Sequence, residues 1–190
     1  KGLMLPPGMS FNAISNKALE AYKNSKMPKS YFDWGQMLEN NKSGFYPYTP
    51  ATNLLYGLNE SINMLLEEGL DNVFARHKRL ADATRLAVEA WGLEILAKNP
   101  IERSDSITAI MVPDGHDSDN LRKIIYDNYN MSLGTGLNKV KSKVFRIGHL
   151  GDLNDLSLMG ALAGVEMGLK QSGIPYKSGG IMAAIDFLSS

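Results

Sequence analysis

The chain has 190 residues, with 20 Lys or Arg against 20 Asp or Glu, so its charge balances at zero and gives no strong pull toward nucleic acid or an anionic membrane. With 44% hydrophobic residues it can bury a core across one or two small domains, and the absence of cysteine excludes disulfides and thiolate metal sites. No apolar run approaches bilayer length and the N-terminus carries no signal-peptide pattern, so the cytoplasm is the expected setting.

Taken in order, Met9 to Ile14 is predicted as a short strand leaving a Pro-Pro-Gly turn, and Ser15 as the N-cap of a helix through about Asn24. Residues 25–44 are punctuated by Lys, Pro, Ser and Asn around an apolar cluster of Tyr31, Phe32, Trp34, Met37 and Leu38, which suits a short helix packing one face. Thr49-Pro50 reads as a helix start, with Thr as N-cap and Pro at the first position. Leu54, Leu55, Leu58, Ile62, Leu65 and Leu66 follow at helical spacing until Gly69. A longer helix begins near Asp71, with Val73, His77, Leu80, Thr84, Val88 and Trp91 along one stripe. His77 on that stripe reads as a packing residue, since no second metal-type side chain matches its spacing.

After Pro100 the texture changes to alternating strands and helices. Ile107 to Val112 is a strand closed by Pro113-Asp114-Gly115, and Asp117 or Ser118 caps a helix carrying Leu121, Ile124, Ile125 and Tyr129. Met131 to Thr135 and Val144 to Ile147 are short strands, with Gly134-Thr135-Gly136 read as a turn because it lacks the remainder of a phosphate loop. A helix from about Leu153 to Gln171 ends at Ser172-Gly173, and a last one runs from about Gly180 to Phe187. Strands alternating with helices predict an α+β or α/β layer. Pattern alone places a domain break near Pro100. The polar group Asp114, His116, Asp117 and Asp119 reads as a loop entering an N-cap, with no familiar metal spacing.

Three stretches could carry chemistry. Lys1 leads directly into the apolar turn Leu3 to Gly8, and a lysine held against apolar surroundings is more easily deprotonated, as amine nucleophiles require. A chain numbered from Lys rather than Met also suggests a fragment, a processed product or half of a larger protein. Arg146 stands inside Val144-Phe145-Arg146-Ile147-Gly148, apolar enough to be a buried strand, where a guanidinium needs an anionic partner. Alternation puts Arg146 and Gly148 on one face and Phe145, Ile147 and His149 on the other, where His149 is structural. Residue chemistry leaves two partners open for Arg146, an internal Asp or Glu and a ligand carboxylate. Tyr46-Pro47-Tyr48-Thr49-Pro50 sets hydroxyls before a helix N-terminus, which suits an anion, although Thr49 could equally cap its own helix.

Lys1-Gly2-Leu3-Met4-Leu5-Pro6-Pro7-Gly8 resembles the segment that follows the cofactor lysine in class V, fold type I aminotransferases, and most of all the serine–glyoxylate and alanine–glyoxylate group. Phe45-Tyr46-Pro47-Tyr48-Thr49-Pro50 and Val144-Phe145-Arg146-Ile147-Gly148-His149-Leu150-Gly151 agree in order and spacing, and the resemblance spans essentially the whole chain. It corresponds to the C-terminal half of such an enzyme. It implies an α/β fold type I transferase, with residues 1–68 ending the large cofactor domain plus a subunit-interface helix, and 69–190 forming a small α+β domain. The implied cofactor is pyridoxal 5'-phosphate, with Lys1 carrying it and shuttling the substrate proton. By the same resemblance, Tyr46 and Thr49 reach across a homodimer interface to the partner's cofactor phosphate, and Arg146 binds the substrate carboxylate. The implied reaction moves an amino group from serine or alanine to glyoxylate or a similar 2-oxo acid. Cysteine desulfurases of this fold need a cysteine and are disfavoured, whereas a lyase, a decarboxylase or a non-catalytic interaction module remains open to residue chemistry.

Overall fold

The computed structural model describes residues 2–190, and Lys1 lies outside the described residues. Two compact units divide the chain. One is Leu5–Asn63; the other comprises Met64–Ser190 together with residues 2–4.

The Leu5–Asn63 unit holds α1 (Asn16–Asn24), α2 (Trp34–Asn41) and most of α3 (Thr52–Glu68). Ser15 caps α1 as the sequence implies, its hydroxyl accepting from the Ala18 amide at 3.2 Å. Asp33 caps α2 through the Gly35 amide at 2.9 Å and also accepts from the Tyr22 hydroxyl, which ties the first two helices together. This unit departs from its sequence pattern at two places. Met9 to Ile14 forms no strand, because no partner strand runs beside it. Helix α3 begins at Thr52 rather than Pro50: its first helical bond runs from the Leu55 amide to the Ala51 carbonyl, so Thr49 precedes the helix without capping it. The leucine stripe of α3 is half-buried at best, and Ser61 alone of the helix is fully buried.

The larger unit has a conventional core. Helix α4 (Leu70–Ala90) follows α3 after a single residue, Gly69, whose φ of 83° suits glycine and lets one position end one helix and open the next. A four-stranded antiparallel sheet then assembles in the order β1-β2-β4-β3, from β1 (Glu94–Ile95), β2 (Ile107–Met111), β3 (Gly134–Thr135) and β4 (Val144–Gly148). Helix α5 (Ser118–Tyr129) connects β2 to β3, while α6 (Asp155–Ser172) and α7 (Gly180–Leu188) follow β4. Gly134-Thr135 is therefore an edge strand, in keeping with the strand expected over Met131 to Thr135 and not with the turn expected over Gly134-Thr135-Gly136, while Met131 to Leu133 lie outside it.

One face of the sheet is apolar. Ile110, Phe145 and Ile147 are buried with Leu80, Val88 and Trp91 of α4 and its cap, Leu121 and Ile125 of α5, and Leu158 and Leu162 of α6. Each such side chain contributes about 1.5–3 kcal/mol, which locks β4 in register. Helices segregated to one face of an antiparallel sheet make this an α+β arrangement. The other face carries the alternate residues, Ile107, Ala109 and Met111 of β2 and Arg146 and Gly148 of β4, all only partly buried or exposed. The apolar layer thus presents Arg146 on the face away from the core.

Candidate active site

Arg146 pairs across the sheet with Ala109 on β2 and with Gly134 on β3. Its two cross-strand neighbours are thus the smallest side chains available, and nothing lies within 4 Å of where a Gly148 side chain would stand. The arginine side chain lies along β3: a Cβ added to Gly134 would stand 3.0 Å from Arg146 Nε and 3.5 Å from Cζ. Arg146 Nε is buried with no hydrogen-bond partner, and no carboxylate among the described residues forms an ion pair with this guanidinium. Of the two partners open to Arg146, the internal Asp or Glu is absent from the described residues. A buried N–H left unsatisfied costs about 1–3 kcal/mol, so the fold holds a cationic donor ready for an anion.

The segment that follows β4 is held from α4. The Gly151 amide donates to His77 Nε2 at 3.0 Å, which leaves His77 Nδ1 carrying the proton and donating to the Val73 carbonyl at 2.7 Å. Arg76 donates to the Gly151 carbonyl at 2.8 Å and the Leu153 carbonyl at 3.2 Å. The remaining Arg76 donors meet both oxygens of Glu68, at 2.6 and 2.8 Å, and the Arg76 guanidinium holds the Glu68 carboxyl below its ordinary range. Met4 packs at this segment too, with its Cγ 3.4 Å from a Cβ built on Gly151. Neither Arg76 nor His77 is legible as part of this arrangement from spacing, because the Gly151 and Leu153 groups they hold lie some 75 residues further along the chain.

His149 is fully buried. Its Nδ1 donates to the Asp105 carbonyl and its Nε2 accepts from the Thr108 hydroxyl, both at 2.9 Å. Burial, more than any neighbouring charge, pushes its pKa down and keeps it neutral. It braces the end of β4, in keeping with a structural role. Asp117 caps α5 through the Asp119 amide, and Asp119 accepts from Thr135, Ser142 and Arg122, so these carboxylates are spent on the fold.

The other expected site residues stand in the Leu5–Asn63 unit. Tyr46 and Thr49 are exposed, in the loop before α3, and they line a groove of about 830 Å³ with Ser10, Asn12, Trp34 and Tyr48. In the same unit Phe11, Tyr31, Phe32, Phe45 and Tyr56 are all largely exposed, an apolar surface unusual for a finished domain. Lys1, expected to carry a cofactor, lies outside the described residues.

No protein-family model matches the chain. Over 192 aligned positions it is 51% identical to serine–glyoxylate aminotransferase of Hyphomicrobium methylovorum, covering 100% of this chain and 47% of that protein. Serine–glyoxylate aminotransferase of Arabidopsis thaliana is also 51% identical, over 99% of this chain and 47% of its own length. The chain belongs to the class V aminotransferases. Among solved structures, pyridoxamine–pyruvate aminotransferase of Mesorhizobium loti matches with a TM-score of 0.88 at 30% identity, covering 100% of this chain and 50% of the other. The fold of this class V chain is accordingly the fold type I α/β transferase. It spans about half the length of the curated relatives it matches, corresponding to their C-terminal half. No helix among the described residues is long and apolar enough to cross a membrane.

Proposed function

We propose that this chain supplies the C-terminal half of a cytoplasmic, pyridoxal-phosphate-dependent aminotransferase that moves an amino group from serine or alanine to glyoxylate or a similar 2-oxo acid. The observation that carries this reading is Arg146: a guanidinium with a buried, unpartnered Nε, flanked by Ala109 and Gly134, in a chain half identical to serine–glyoxylate aminotransferases. An amino acid and a 2-oxo acid share an α-carboxylate, and a guanidinium fork binds either one in two prongs.

The residues present suit the cofactor in part. Tyr46 and Thr49 offer exposed hydroxyls on one loop, fit to donate to its phosphate in the partner subunit's site of a homodimer. Lys1 is the residue that holds the cofactor and moves the proton at the substrate Cα. When bound, the cofactor supplies a sink for the electrons left by the broken Cα–H bond. We take Gly69 as the domain boundary, with residues 1–68 completing the cofactor domain and 69–190 forming the carboxylate-binding domain. The exposed aromatic surface of the Leu5–Asn63 unit supports a cover supplied by the N-terminal half and a second subunit.

The test is amino transfer by the full-length, cofactor-loaded protein given L-serine and glyoxylate. Equal amounts of hydroxypyruvate and glycine are the expected products. Release of carbon dioxide or ammonia without glycine would replace this reading by a decarboxylase or a lyase.

A further inference from the structure

We propose that Gly134 is a positioning residue for substrate recognition: by lacking a side chain it seats the Arg146 guanidinium on the edge strand, in the unpaired pose that receives a carboxylate. The proposal rests on Arg146 being the carboxylate-binding group.

Gly134 is not needed for backbone conformation, since its φ is not among the positive values found in this chain. What makes it distinct is space. A Cβ at this position would approach Arg146 Cβ to 3.1 Å and Nε to 3.0 Å. Directly opposed Cβ atoms in antiparallel strands ordinarily stand about 4.5–5.5 Å apart, so even alanine would displace either the strand or the arginine. The strand is the less free to move. β3 is only two residues long, and side chains of α5 hold it on both flanks. Arg122 Nε donates to the Leu133 carbonyl at 2.8 Å, and the Thr135 hydroxyl donates to Asp119 at 2.9 Å. Arg122 and Asp119 are themselves joined at 2.9 Å, and Ser142 donates to the second Asp119 oxygen at 2.9 Å. These bonds to Ser142, Thr135 and Arg122 keep Asp119 ionised well into acid. With β3 fixed and Ala109 on the other side, an added methyl would act on the long arginine side chain. Relieving contacts this tight takes a shift of a few tenths of an ångström, which bears on a two-pronged guanidinium–carboxylate contact because that contact depends on alignment.

The test uses the full-length, cofactor-loaded enzyme and four proteins: Gly134→Ala, Thr135→Val, Arg146→Gln and the Gly134→Ala/Arg146→Gln double variant. Glycolate, an unreactive 2-hydroxy carboxylate, is titrated calorimetrically, and KM and kcat for serine and for ethanolamine, which lacks the carboxylate, are measured beside the melting temperature. Gly134→Ala is expected to weaken glycolate roughly tenfold, about 1.4 kcal/mol, and to raise KM for serine more than it lowers kcat. Ethanolamine turnover is expected to stay level. In the Arg146→Gln background the same substitution is expected to add nothing, because two residues acting through one contact are not additive.

If Arg146→Gln leaves glycolate binding unchanged, the carboxylate reading itself fails. If Arg146→Gln weakens it and Gly134→Ala does not, or if Gly134→Ala weakens it equally without Arg146, the seat is refuted while the clamp stands. Should Gly134→Ala fail to fold, Thr135→Val decides, since it removes the bond to Asp119 without adding bulk. A weakening of about threefold, near 0.65 kcal/mol, supports the proposal, and unchanged glycolate binding overturns it.

Discussion

Replacing Arg146 with Gln is expected to separate stability from function. Most buried arginines are held by an internal carboxylate, and removing one partner of such a pair costs roughly 3–5 kcal/mol of stability. Arg146 has no such pair among the described residues, and its Nε is buried without an acceptor. The substitution therefore removes an unsatisfied donor whose burial costs about 1–3 kcal/mol. For a protein of this size each kcal/mol moves the melting temperature by about 2–4 °C, so the variant is expected to melt at the same temperature or a few degrees higher. Substrate binding is expected to weaken by about 2–5 kcal/mol, the usual cost of truncating one member of a hydrogen-bonded charge pair. That corresponds to roughly 30- to 5,000-fold in affinity. Arg146→Lys is expected to fail as well, because an ammonium cannot reproduce the planar fork. Melting by calorimetry and KM for serine, taken on one preparation, decide the matter. A variant that melts several degrees lower and keeps its KM would refute the reasoning, since the arginine would then be serving the fold.

Two further outcomes follow from the geometry. His149 is buried and its pKa is depressed, so the unfolded chain takes up a proton near its ordinary value of about 6.5 while the folded chain does not. The associated stability is present above that value and lost as pH falls below it, by at most about 1.4 kcal/mol per pH unit. His149→Asn is expected to flatten urea midpoints between pH 7 and 5, and an unchanged slope would show that other groups carry the dependence. If Tyr46 and Thr49 serve the partner's site, mixing a Lys1→Ala protomer with a Thr49→Ala protomer restores one site in each hybrid dimer. After full subunit exchange that is about a quarter of wild-type activity for an isologous pair, and no recovery would place each site within one chain.

Much of the larger unit was legible because its elements announce themselves locally. Asp117 caps α5 and Gly173 ends α6 as their chemistry suggests, and the alternation in Val144–Gly148 correctly separates Arg146 from Phe145 and Ile147. The errors arise where long-range partners decide. Met9 to Ile14 is β-like in composition, but a strand exists only beside another strand. Thr49-Pro50 has the residue types of a helix start, yet the first helical bond forms from Leu55 to Ala51. Glu94–Ile95 is not legible because two residues carry no periodicity, and of the strand expected over Met131 to Thr135 only Gly134-Thr135 forms, because only those two residues pair with β4. At the site, the motif pointed to Arg146 and the apolar strand explained why its charge needs a partner. Its small neighbours Ala109 and Gly134 come from strands 37 and 12 residues distant in sequence, and only the register aligns them.

The central claim, that this chain carries the cofactor lysine of an aminotransferase, is tested most directly by borohydride reduction of the full-length, cofactor-loaded protein followed by peptide mapping. The pyridoxyl label is expected on the peptide that contains Lys1-Gly2-Leu3-Met4, with transamination lost in step with labelling. A label on Lys17, Lys23 or any other lysine, or full labelling with activity retained, would contradict it.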